Sequence, residues 1–98
     1  MSRIVVFDLE ADLELFQIAE WYERASPGLG SKVLAAVNAL VARAADLPES
    51  FPIYRNGVRE AYLRKYRYRI FFEAGTVHLR VRAVYHASRD ERKLKSRF

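Results

Sequence analysis

Tyr66-Arg67-Tyr68-Arg69-Ile70-Phe71-Phe72, then Gly75-Thr76, then Val77-His78-Leu79-Arg80-Val81-Arg82-Ala83, is the stretch that decides the fold. In the first run the even positions Tyr66, Tyr68, Ile70 and Phe72 share one side, and Arg67 and Arg69 take the other. In the second run Val77, Leu79, Val81 and Ala83 alternate with His78, Arg80 and Arg82. A period of two with apolar residues on one side is the pattern of a strand buried on one face. The tight Gly75-Thr76 connection predicts that the two runs form an antiparallel hairpin.

Upstream, Val58 to Leu63 reads as another strand, reached through a loop containing Pro48 and Pro52. The period changes before that loop. Val33, Val37, Leu40, Val41 and Ala44 form a helical stripe, and the accompanying alanines favour helix and allow close helix packing. Ser26 and Pro27 are expected to open this helix, and Leu47-Pro48 to close it. Ala11, Leu15, Ile18 and Tyr22 give an earlier helix running to about Arg24, with Asp8 as its expected N-cap. Ile4 to Phe7 is a first short strand. The order β-α-α-β-β-β predicts an α+β domain over residues 1–98. In it an antiparallel helical hairpin covers one face of a mainly antiparallel four-stranded sheet, and a short basic tail follows.

Composition narrows the function classes. The 98 residues are 51% hydrophobic, enough for one core and too many for wholesale disorder. No apolar run approaches the ~18 residues of a membrane span. The short apolar start, followed at once by Asp8 and Glu10, does not resemble a secretory signal, so a cytoplasmic protein is expected. With no cysteine there is neither a disulfide framework nor a thiolate metal site, and two histidines without paired carboxylates do not make a zinc site. No cofactor is expected. Charge is unevenly divided: residues 1–54 hold four basic and eight acidic side chains, and residues 55–98 hold thirteen basic and four acidic. The arginines of the second half, Arg59, Arg67, Arg69, Arg80, Arg82 and Arg89, are candidates for binding a polyanion, whether nucleic acid or an acidic protein segment. They are expected to gather on the sheet face away from the helices.

Several pieces, in order, resemble one family. Ala11-x3-Leu15-x2-Ile18-x2-Trp21-Tyr22 with Ser26-Pro27-Gly28-Leu29-Gly30 is similar to the helical hairpin of RelE/ParE superfamily toxins. Leu47-Pro48-x2-Phe51-Pro52, Val58-Arg59, Tyr68-Arg69-Ile70-Phe71-Phe72 and Ala83-Val84-Tyr85-His86-x2-Arg89-Asp90 resemble its later elements. Tyr66-Arg67-Tyr68 departs from the Phe-Pro-Tyr of many relatives, and no tyrosine lies near the C-terminus, where ribosome-dependent RNases of the superfamily carry an acid–base residue.

The resemblance implies the toxin of a type II toxin–antitoxin, plasmid-stabilisation module, with a cognate antitoxin as partner in a higher hetero-oligomer. Two activities fit. The form of the hairpin and the missing tyrosine favour a ParE-like inhibitor of DNA gyrase. The alternative is a RelE-like ribosome-dependent mRNA endonuclease, with Arg69 and Arg89 stabilising charge and His86 transferring the proton. A third reading keeps antitoxin binding and no toxicity. His86 could equally close a strand through a backbone hydrogen bond, and Arg89 could pair with a carboxylate. Antitoxin anchors would be Trp21, Tyr22, Phe51 and Tyr54, for which plain core packing is the competing reading.

Overall fold

In the computed structural model, which describes residues 2–98, the expected elements appear in the expected order. With one added strand, the elements are β1 (Ile4–Phe7), α1 (Leu9–Ala25), α2 (Leu29–Asp46), β2 (Ile53–Arg55), β3 (Val58–Leu63), β4 (Tyr68–Ala74), β5 (His78–His86) and α3 (Glu91–Lys95). The sheet order is β1-β5-β4-β3-β2. Every pairing is antiparallel except β1 with β5, which runs parallel because the hairpin carries the chain across the sheet between them. The sheet has five strands rather than four. The addition, β2, follows a single 3-10 turn at Pro48–Ser50 and pairs with β3 through the Asn56-Gly57 turn. Both turn residues have positive φ, a conformation asparagine and glycine tolerate.

The helices pack on one sheet face. Ala11, Leu15, Val37, Leu40, Val41 and Ala44 meet Ile70, Phe72, Leu79, Val81 and Val84. The opposite face, expected to gather bare positive charge, carries a second apolar cluster instead. Val58, Phe71, Ala83 and Tyr85 are closed over by Leu94 of α3, with Tyr54 and Phe98 at the margin. The basic tail is thus a lid as well as a charge reservoir. Its capping is local: the Asp90 side chain accepts the Arg92 N–H.

Four local expectations change. The second helix begins at Leu29 after Gly28, whose φ of 87° sets the entry, while Ser26 ends the first helix by donating its N–H to the Tyr22 carbonyl. Asp8 precedes α1 but makes no side-chain cap, because Arg80 and Arg82 hold its carboxylate. Tyr66 lies outside β4, in a turn closed by Arg67 at a φ of 61°. Ala83 is on the far face, not with Leu79 and Val81. The register shifts between Phe71 and Phe72, which pair with Ala83 and Val81, so the intervening Arg82 is a bulge that reverses the alternation.

Candidate functional site

β1 pairs with β5 only as far as Val81, so the later part of β5 has no strand beside it on that edge. Helix α1 passes there. Glu14, Gln17, Ile18 and Trp21 share a stripe at helical spacings of three, four and seven residues. With Tyr22, Tyr68, Val84, His86 and Arg89 they line a cleft of about 430 Å³. Its floor is apolar. Its lip is Trp21, 60% exposed, whose ring stands edge-on to Tyr22 at 5.0 Å. Burial, and then the neighbouring Tyr22, push the Tyr68 hydroxyl up to about 12, so it stays a neutral hydrogen-bonding group.

His86 and Arg89 stand at the mouth. The Ser88 N–H donates to His86 Nδ1 at 3.2 Å, and the Ser88 hydroxyl lies 2.8 Å from the same nitrogen. An Nδ1 that accepts a backbone proton leaves the ring's own proton on Nε2. Arg89 lies over the Tyr85 ring, 4.0 Å from its centroid, and 3.5 Å from Glu14 Oε2. Beside the cleft, Tyr66 packs edge-on against Tyr22 at 5.4 Å, and the Arg67 carbonyl accepts the Ala87 N–H. These contacts fix the β3–β4 turn there. Its Arg64, Lys65 and Arg67 are exposed, with no ion pair among the described residues.

The remaining candidate residues are elsewhere. Arg69 lies on the far sheet face, held by Glu60 through Nε at 2.9 Å and by Glu91 through Nη1 at 2.8 Å, with its guanidinium against the Tyr54 and Phe71 rings. Hydrogen bonding to Glu60 is the largest cause holding Arg69 above the ordinary arginine range. Arg69, His86 and Arg89 therefore do not converge: the sheet separates Arg69 from His86, and Arg89 sits at the β5 edge, over Tyr85 and beside Glu14.

Arg80 and Arg82 grip Asp8, and Arg82 also pairs with Glu73. Arg59 donates to the Phe51 carbonyl at 2.6 Å. Of the six candidate polyanion-binding arginines, Arg67 and Arg89 flank the cleft and the other four are tied into the fold. Of the four aromatic anchors, Trp21 and Tyr22 belong to the cleft. Phe51 packs edge-on against Phe72, and Tyr54 against Phe71, with its hydroxyl donating to Glu91. Sequence reasoning passed over Glu14, Gln17, Arg64 and Lys65. The spacing of Glu14 from Ile18 and Trp21 is the signal that could have placed Glu14 there.

Among the described residues no group of histidines, cysteines or carboxylates is placed to hold a metal ion, and no helix is long and apolar enough to cross a membrane.

Comparison with known proteins follows the same lines. No curated protein sequence matches the chain significantly. Among solved structures, a chain described as the chromosomal ParDE TA system from P. aeruginosa superposes with a TM-score of 0.65 at 16% identity, over 89% of this chain and 98% of that one. That likeness is one of fold. The model of the family described as ParE toxin of type II toxin-antitoxin system, parDE, matches residues 5–91, from the first strand through the cleft to the start of α3. That span takes in the hairpin, the aromatic strand and the closing strand, and the chain belongs to the ParE toxin family of the RelE/ParE superfamily.

Proposed function

We propose that this chain is the toxin of a toxin–antitoxin pair, that it inhibits DNA gyrase in the cytoplasm, and that a cognate antitoxin neutralises it. The antitoxin segment seats an apolar residue in the cleft beside Trp21 and sets acidic residues against Arg64, Lys65, Arg67 and Arg89. The observation that carries this reading is the position of Trp21. A large aromatic side chain stands open to solvent on the lip of an apolar cleft, with Arg64, Lys65 and Arg67 unpaired alongside among the described residues. Large aromatics in such settings dominate protein interfaces, and the flanking charge steers an acidic partner to them.

Inhibition of a protein target needs a presented surface and no acid–base pair. The endonuclease reading is less well supported, since it needs Arg69 beside His86 and the two lie on opposite sides of the sheet. The His86 Nδ1 is also occupied by Ser88.

Purified chain added to gyrase and relaxed plasmid is expected to block supercoiling. In cells it should produce filamentation and DNA-damage signalling rather than an immediate halt of translation. Cut messages with unaffected supercoiling would overturn the gyrase reading, and loss of arrest in His86→Ala would restore the catalytic one. For the antitoxin, Trp21→Ala should weaken binding by about 30-fold, equivalent to about 2 kcal/mol. Trp21 is the chain's single tryptophan, so its fluorescence reports occupancy of the cleft directly.

A further inference from the structure

The outer surface of the helical hairpin plays no part in the cleft. Leu9, Leu13 and Phe16 are 74%, 52% and 60% exposed and recur at four and three residues along α1. They form a stripe pointing away from Ala11, Leu15 and Ile18. Isolated exposed leucines are ordinary, but three large apolar side chains in two helical turns form a patch. On α2 the corresponding outer stripe is Ala35, Ala39 and Ala42, all exposed. One helix of the hairpin thus presents bulky side chains, and the other a shallow row of methyl groups.

The charges lean the same way without dividing cleanly. On α1, Asp12 and Glu20 are exposed beside Arg24, and on α2, Lys32 and Arg43 are exposed beside Asp46; none of the six enters an ion pair among the described residues.

We propose that this face is a self-association surface through which two copies of this chain pack about a two-fold axis parallel to the helices. Such an axis lays α1 of each copy antiparallel over α2 of the other. Leu9, Leu13 and Phe16 enter the alanine row of the partner copy, where small side chains allow close helix approach. The same operation brings Asp12 toward the Arg43 end of the opposing α2 and Glu20 toward the Lys32 end. Asp12 and Glu20 are about 12 Å apart along their helix and Lys32 and Arg43 about 16 Å. Flexible lysine and arginine side chains cover the difference. The contact is isologous, since every residue meets its complement twice.

Charge selects this occupant over the acidic antitoxin segment. Glu10, Glu14 and Glu23 are engaged within the chain, and the exposed acids left on α1 are Asp12 and Glu20, which repel an acidic segment and attract Lys32 and Arg43 of a second copy's α2. The surface is separate from the cleft, so the pairing is independent of the gyrase and antitoxin reading.

Sedimentation equilibrium of the full chain over a wide concentration range tests this. The unmodified chain is expected to reach dimer, and Phe16→Glu and Ala39→Glu are each expected to weaken dimerisation at least tenfold, with thermal melting unchanged at concentrations where all three proteins are monomeric. Because the chain has no cysteine, single-cysteine variants give a second readout. A mixture of Phe16→Cys and Ala39→Cys should oxidise to a mixed disulfide dimer much faster than Phe16→Cys mixed with Thr76→Cys. A chain that stays monomeric at every concentration, or a dimer indifferent to both glutamate substitutions, overturns the proposal. So does a Phe16→Glu that weakens only the binding of an antitoxin.

Discussion

Glu14 Oε1 accepts the backbone N–H of Val84 at 3.1 Å, so a helix carboxylate stands where a neighbouring strand would otherwise pair. β1 has ended by this point, and an unpaired N–H in the half-buried edge of β5 would be costly. The other oxygen, Oε2, accepts from Arg97 Nη1 at 2.8 Å and lies 3.5 Å from Arg89. One side chain on α1 thereby joins the helix layer, the sheet edge and the C-terminal tail, and forms one wall of the cleft.

Replacing that hub should be felt throughout. Glu14 and Arg97 are 15% and 18% exposed, so the pair is well shielded from solvent. Glu14→Ala leaves the Val84 N–H and the Arg97 guanidinium without their acceptor and should destabilise by about 2–3 kcal/mol. Glu14→Gln, which keeps an acceptor and removes the charge, should lose roughly half as much. Urea denaturation of the three proteins measures the difference, and equal stability of Glu14→Ala and the parent would remove the hub from the account.

Gly30 is a test of helix contact against helix propensity. An added Cβ would meet the Ala19 carbonyl oxygen at 2.5 Å, where α2 crosses α1. Propensity alone would make Gly30→Ala stabilising by about 1 kcal/mol. Overpacking against backbone costs about 1–3 kcal/mol, so the expected sign is a net loss, seen as a lower Tm. A raised Tm would mean that the helices part without penalty.

The tail should prove structural. Leu94 is fully buried over Phe71 and Tyr85. Leu94→Ala is expected to destabilise by about 2–5 kcal/mol. Hydrogen exchange should then report early loss of protection in β4 and β5 rather than in the helices. A tail that comes away with no effect on those strands would contradict its role as a lid.

Acid should loosen the β1–β5 corner. Partial burial would by itself raise the Asp8 pKa, but the hydrogen bonds and charges of Arg80 and Arg82 outweigh it and hold the carboxyl below its ordinary value of 3.8. A depressed carboxylate stabilises the fold above its unfolded pKa and loses that contribution as pH falls through the folded one. Stability should therefore be flat near neutrality and decline below about pH 4. Asp8→Asn should be less stable at pH 7 and show a shallower acid decline. Parallel pH profiles of the two proteins would exclude the carboxylate as the source.

The elements, their order and the two helix stripes are legible in the sequence because they depend on local periodicity. Leu79 and Val81 alternate whatever lies around them. Ala83 and Val84 were not legible: the bulge at Arg82 depends on how β5 meets β4, and one inserted residue reverses every side chain beyond it. The arginines teach the same lesson. Counting charges along the chain identifies a basic half, but it does not distinguish Arg69, clamped by Glu60 and Glu91, from Arg67, which is free at the cleft. The carboxylates that pair with the arginines can be distant in sequence, as Glu14 is from Arg97, 83 positions away.

By itself, then, the chain's order of residues determined an α+β fold, a hairpin over a sheet, and the family, because hydrophobic spacing and turn residues act over a few neighbours. Tertiary structure alone decided which aromatics are buried and which stand open, which cations are spent on internal pairs, and that α1 meets the uncovered edge of β5 to form a cleft. Those outcomes depend on contacts between distant segments, whose geometry no local pattern encodes.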